Sequence, residues 1–138
     1  MDNTLENRRV IAVVPAYNER DNIVSTIEDL QSNAPGVDYV IVNDGSKDDT
    51  LSICREHGYN VIDLPVNLGL AGAFQTGMRY VYGHGYDYAI QFDADGQHSA
   101  AYIAEMVHVA EEKGANIVIG SRFATQKSLS PRVWPAVC

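Results

Sequence analysis

An apolar run that ends in two carboxylates one residue apart is the most chemically loaded stretch of this chain: Tyr88-Ala89-Ile90-Gln91-Phe92-Asp93-Ala94-Asp95-Gly96-Gln97-His98. In extended backbone Asp93 and Asp95 project to the same side. Carboxylates that close repel unless a cation lies between them, and an all-oxygen set suits a hard ion such as Mg2+ or Mn2+. Gln97 adds a neutral oxygen, and Gly96 lets the chain turn tightly. An ion held only in part by protein can grip a diphosphate. Asp93, Asp95 and Gln97 are therefore the candidate metal ligands. A calcium loop starting at Asp93 would need glycine sixth and glutamate twelfth, whereas Gly96 falls fourth and Ala104 twelfth. A plain solvated turn is the competing reading, and His98 is either a turn residue or a ligand.

Three further short runs lead into unusual polar residues. Val13-Val14 is followed by Pro15-Ala16-Tyr17-Asn18-Glu19, Ile41-Val42 by Asn43-Asp44-Gly45-Ser46-Lys47-Asp48-Asp49-Thr50, and Asp63-Leu64 by the glycine-bearing loop Asn67–Gly77. Tyr17 has a face on which a base can stack, or it simply packs. Asp44 can accept hydrogen bonds from a base, or cap a turn with Gly45. The Asn67–Gly77 loop lets a ligand approach the backbone at Asn67 and Gly69, although packing accounts equally well for Gly72 and Gly77. It matches neither of the common phosphate-loop patterns.

The elements that must position these residues alternate. Arg9–Val14, Asp38–Val42, Asn60–Leu64, Asp87–Phe92 and Asn116–Ile119 read as strands, several continuously apolar as in a sheet covered on both faces. Helical patterns fall at Asp21–Asn33, Lys47–His57, Ala71–Tyr82 and Ala100–Lys113. Ser46 and Asp49 resemble a capping box for the second helix, and Gly114 closes the fourth. This order predicts a three-layer α/β/α, Rossmann-like fold with a mostly parallel sheet. Ligands of such sheets bind at the carboxyl ends of strands, where the strand order reverses.

Composition sets the outer bounds. With 138 residues, 46% hydrophobic and 20% charged, the chain has the material for one domain with a core. Its apolar runs are too short to span a bilayer, and the first residues lack the layout of a signal peptide. Two cysteines make neither a disulfide framework nor a metal set, so a cytoplasmic setting is expected. The net charge of −8 argues against nucleic acid as a partner. That charge is uneven: Ser121–Cys138 holds Arg122, Lys127 and Arg132 and no acidic residue.

Taken together, VVPAYNE (Val13–Glu19), VNDGSKDDT (Val42–Thr50), NLGLAGAFQTG (Asn67–Gly77), FDADGQH (Phe92–His98) and GSRF (Gly120–Phe123) resemble, in order, a family 2 glycosyltransferase with the GT-A fold. Within it, the likeness is to the branch of dolichyl-phosphate mannose synthase and other polyprenyl-phosphate sugar transferases. The resemblance implies an inverting transferase that takes a hexose from a UDP- or GDP-sugar to a polyprenyl phosphate or a glycan. Pro15, Ala16, Tyr17 and Glu19 would line the nucleoside pocket, Glu19 near the ribose, and Asp44 would bond the base. Asp93 and Asp95 of the DXD motif, with Gln97, would hold the divalent ion on the diphosphate. Arg122 would face the anionic end of donor or acceptor.

A lipid phosphate is already ionised, so it needs no base to deprotonate it. Arg122, Lys127 and Arg132 would suit such an acceptor, though Lys127 and Arg132 are equally readable as solvated charges. A lipid acceptor would put the protein at the cytoplasmic face of the membrane. Residues 124–138 show no helix or strand period and are expected to form an irregular tail of a single domain, 1–138. Family members continue past GSRF with an acceptor half, so the resemblance implies a chain complete in its nucleotide half only. A nucleotide-binding module without turnover is the alternative. A sugar-nucleotide pyrophosphorylase is disfavoured, because PAYNE stands where such enzymes carry a glycine-rich loop with lysine. A sheet left with an uncovered edge would favour a homo-oligomer.

Overall fold

The computed structural model describes residues 8–94 and 100–114, with the backbone of two short strands at 117–119 and 132–134. The elements run β1 (Val10–Ala16), α1 (Ile23–Asn33), β2 (Asp38–Asp44), α2 (Thr50–Glu56), β3 (Val61–Leu64), α3 (Gly69–Gly83), β4 (Tyr88–Gln91), a 3-10 turn (Ala100–Tyr102), α4 (Ile103–Lys113), β5 (Ile117–Ile119) and β6 (Arg132–Trp134).

Strands β1 to β4 form one parallel sheet in the order β3-β2-β1-β4. Every residue of β1 is buried, as a central strand covered on both faces requires. Alternate residues serve opposite layers. Val10, Ala12, Val14 and Ala16 pack with Ile23, Ile27 and Leu30 of α1, Cys54 of α2, and Ile103 and Val107 of α4. Ile11 and Val13 pack with Val40, Val42, and Ala73 and Val81 of α3. The expected three-layer α/β/α architecture is thus present, with α3 as the helix that covers the second face among the described residues.

Helix α3 sits close because of Gly77. A Cβ there would fall 2.2 Å from Val13 Cγ1, so glycine is what lets the helix press on β1. At Gly72 an added Cβ would meet Leu68 Cβ, one turn back, at 2.6 Å. For these two glycines, packing is sufficient explanation.

The structure departs from expectation at three places. Strands β1 and β2 each run two residues further, so Ala16 and Asp44 belong to the ladder. The capping box is absent: α2 begins at Thr50, the side chain of its N-cap Asp49 makes no capping hydrogen bond, and Ser46 Oγ accepts the Asn18 N–H at 3.0 Å. Asp48 does the capping instead, with Oδ1 taking the Thr50 N–H at 2.9 Å. Finally, β5 pairs antiparallel with β6 in a separate two-stranded sheet, Val118 opposite Val133. The tail expected to be irregular therefore carries a strand at Arg132–Trp134, three residues between Pro131 and Pro135 and too short to show a period. Helix α4 does close at Gly114, whose φ of 60° is the left-handed conformation glycine adopts freely.

Candidate functional site

The strand order reverses between β1 and β4: β2 and β3 lie to one side of β1, and β4 to the other. The crevice at the carboxyl ends of β1 and β4 is therefore where ligands of such sheets sit. Pro15, Ala16, Tyr17 and Glu19 lie on its β1 side, and Asp93 lies on its β4 side.

On the β1 side, Asn18 turns the chain at a φ of 53°, a conformation asparagine tolerates better than most residues. Its Oδ1 accepts the N–H of Lys47 at 2.8 Å and of Asp48 at 3.3 Å. The next N–H, that of Glu19, donates to Thr50 Oγ1 at 3.0 Å, and the Thr50 hydroxyl in turn donates to Asp48. Arg20 N–H reaches Asp48 Oδ2 at 3.4 Å, and the Arg20 guanidinium lies 3.6 Å from Asp49. The loop after β1 is thereby tied to the loop after β2. Partial burial works against ionisation of Asp48, but the bonds from the Thr50 hydroxyl, Thr50 N–H and Arg20 N–H outweigh it and hold its pKa below the ordinary value.

Within this frame Pro15 and Ala16 are buried, so they offer backbone and shape, not side-chain surface. Tyr17 stands at the mouth, 42% exposed. Glu19 is half-buried, its Oε2 accepting from Asn22 Nδ2 at 3.1 Å.

Asp44 is a loop anchor as well as a candidate base contact. It is only 3% exposed, and its Oδ1 accepts the Leu68 N–H at 2.6 Å, just ahead of α3. The helix's positive end favours a carboxylate there. Its carbonyl accepts Asn67 Nδ2 at 3.1 Å, while Asn67 Oδ1 takes the Gly69 N–H at 3.0 Å. Gly45 (φ 67°) closes the junction, since a Cβ there would lie 2.5 Å from Asn67 N. Asp44, Asn67 and Gly69 are thus brought together, bound to one another. Behind them the buried Asn43 donates to Asp63 Oδ1 at 3.0 Å.

On the β4 side, the ladder pairs Gln91 with Val13, and Phe92 N–H still reaches Val13 O at 2.9 Å. Asp93 follows, half-buried between the buried Phe92 and Ala94, and its Oδ1 accepts Gln91 Nε2 at 3.1 Å. Asp95, Gln97, His98, Arg122 and Lys127 lie outside the described residues, as does the side chain of Arg132. Among the described residues no three acidic, His or Cys side chains converge as a metal site. The donor set Asp93, Asp95, Gln97 is all oxygen and fits a hard divalent ion by chemistry. Asn18, Ser46, Asp48 and Thr50 were missed as site residues. The signal for Asn18 was available: an asparagine at a strand end is suited to a left-handed turn.

The sequence model of glycosyl transferase family 2 matches residues 11–136. The chain belongs to that family. Among relatives, it is 31% identical to a UDP-N-acetylglucosamine–dolichyl-phosphate N-acetylglucosaminyltransferase of Methanococcus voltae, over 89% of this chain and 55% of that protein. It is 28% identical to the polyprenol monophosphomannose synthase of Mycolicibacterium smegmatis, over 93% of this chain and 49% of that protein. Among solved structures, a mannosyltransferase from Pyrobaculum calidifontis in complex with GDP-Man and Mn2+ superposes with a TM-score of 0.66 at 22% identity, over 82% of this chain and 34% of that one. The fold is that of the GT-A glycosyltransferases. This family 2 chain is related to the polyprenyl-phosphate sugar transferases and spans about half the length of the curated relatives it matches.

Proposed function

We propose that this chain is the donor half of a glycosyltransferase that binds a nucleotide-diphospho-sugar with a divalent ion and passes the hexose, with inversion, to a polyprenyl phosphate. The observation that supports the reading is that Asp93 and the Tyr17–Glu19 loop follow the carboxyl ends of the neighbouring parallel strands β4 and β1, where the strand order reverses. Base and ribose lie along the β1–β2 side, where Tyr17 offers a face and Asp44 an acceptor. The sugar–phosphate bond lies toward Asp93.

Asp93, Asp95 and Gln97 would hold Mg2+ or Mn2+. Bound there, the ion would supply positive charge at the diphosphate oxygens. Inversion requires the acceptor oxygen to attack the sugar carbon in line with the departing diphosphate. A lipid phosphate arrives as an oxyanion, so the chain needs no general base, and Arg122 would offset the charge of donor or acceptor. The related family members whose names specify dolichyl phosphate or polyprenol support a lipid acceptor over a glycan. Such an acceptor would bring the protein to the cytoplasmic face of the membrane.

Because the chain covers about half of these relatives, nucleotide capture without turnover is a second reading. Calorimetric titration of UDP and GDP, with and without Mn2+, tests the shared step. Metal-dependent binding of one nucleotide is the expected result, and absence of binding with either would overturn the reading. Hexose transfer to a short polyprenyl phosphate, assayed next, decides between the transferase and the binding module.

A further inference from the structure

The ladder between β1 and β2 closes at Ala16 opposite Asn43, yet the two segments stay joined beyond it. Three consecutive main-chain N–H groups past the end of β1 each find a side-chain oxygen on the segment that follows β2. Asn18 donates to Ser46 Oγ at 3.0 Å, Glu19 to Thr50 Oγ1 at 3.0 Å, and Arg20 to Asp48 Oδ2 at 3.4 Å. One side chain answers in return: Asn18 Oδ1 takes the N–H groups of Lys47 and Asp48 at 2.8 and 3.3 Å. Side chains thus continue the pairing where the strands stop.

Asn18 meets two demands at once. Its φ of 53° is left-handed, a conformation that strains most side chains. Its short amide also reaches two N–H groups of the neighbouring loop. Glycine would meet the first demand alone, and alanine neither. The side chains assigned to base and ribose stand on either side of it. Tyr17 is held between the last ladder pair and the bonds of Asn18. Glu19 is fixed from both sides, since its carbonyl takes the N–H groups of Asn22 and Ile23 at 3.0 and 2.8 Å as α1 begins.

We infer that Asn18 is the positioning residue of the nucleoside side: it makes the loops after β1 and β2 one body, and so holds Tyr17 and Glu19 in place relative to Asp44. The inference rests on the proposed reading of those three side chains as nucleoside contacts. Asn18 acts through its neighbours and does not itself touch the nucleotide. The two loops are ordered before a nucleotide arrives, so binding does not bear that cost.

Calorimetric titration of the full chain, with Mn2+ present and with whichever of UDP and GDP the wild type binds, tests this. Asn18→Gly keeps the left-handed turn and removes the acceptor. Affinity should fall about 10-fold while the melting curve stays cooperative. A positioning role also predicts coupling: in a Tyr17→Ala background the same substitution should cost less, because a side chain that it places is gone. Should Asn18→Gly not fold, Ser46→Ala, which cuts the first bond of the tie, replaces it in the same cycle. Undiminished affinity, or a loss of the same size in the Tyr17→Ala background, would overturn the inference and leave the proposed function standing. A wild-type chain that binds neither nucleotide would overturn both.

Discussion

Single side chains in this candidate site are proposed to carry a binding duty beside the structural one, and substitutions should separate the two. Asp93→Ala should cut nucleotide affinity in the presence of Mn2+ by roughly 100-fold or more and leave the melting curve intact; unchanged affinity by calorimetry would remove Asp93 from the metal set. Asp44→Ala is expected to behave differently, because Asp44 also accepts the Leu68 N–H. It should cost about 1–3 kcal/mol of stability and alter UDP and GDP affinities unequally. Equal losses for both bases would mean that Asp44 anchors the loop and does not touch the base. Asp48→Ala should destabilise by about 1 kcal/mol at neutral pH. A carboxylate held below its unfolded pKa contributes stability above about pH 4, and the contribution fades as pH falls through the lowered folded value. The gap between wild type and Asp48→Ala, followed by urea titration, should therefore narrow on acidification.

At the level of elements, the alternation of apolar runs with helical periods made the four strands of the parallel sheet and the four α-helices among the described residues legible. Buried parallel strands such as β1 cannot hide their continuous hydrophobicity. What escaped was local. Ser46 and Asp49 fit a capping pattern by spacing, but Ser46 is taken by Asn18, a residue 28 positions away. Strand β6 escaped because three residues hold too little of a period. Gly77 was ambiguous for another reason: only the approach of α3 to Val13 reveals why no side chain fits. Gly77→Ala should cost about 1–3 kcal/mol or more through overpacking, read as a lowered denaturation midpoint with unchanged slope. Of the site, the residue types were legible and their mutual bonds were not, since Asp44, Asn67 and Gly69 join only once β2 and β3 are aligned.

For the molecule as a whole, 18 acidic residues stand against 10 basic ones in a chain proposed to bind a diphosphate. With a net charge of −8, the chain repels free nucleotide, so association at a fixed Mn2+ concentration should speed up as salt is added. Stopped-flow rates that fall with ionic strength would contradict this. The sheet topology adds a consequence in time. The tie between the loops of β1 and β2 spans 28 residues, whereas the bond that brings Arg9 to Asp87, at the foot of β4, spans 78. Closing the longer loop costs more chain entropy, and contacts distant in sequence form late. The β1–β2 half should therefore be structured in the folding transition state and β4 docked after it, so that the Asp93 arm is the last part of the pocket to be made and the first to be lost on unfolding.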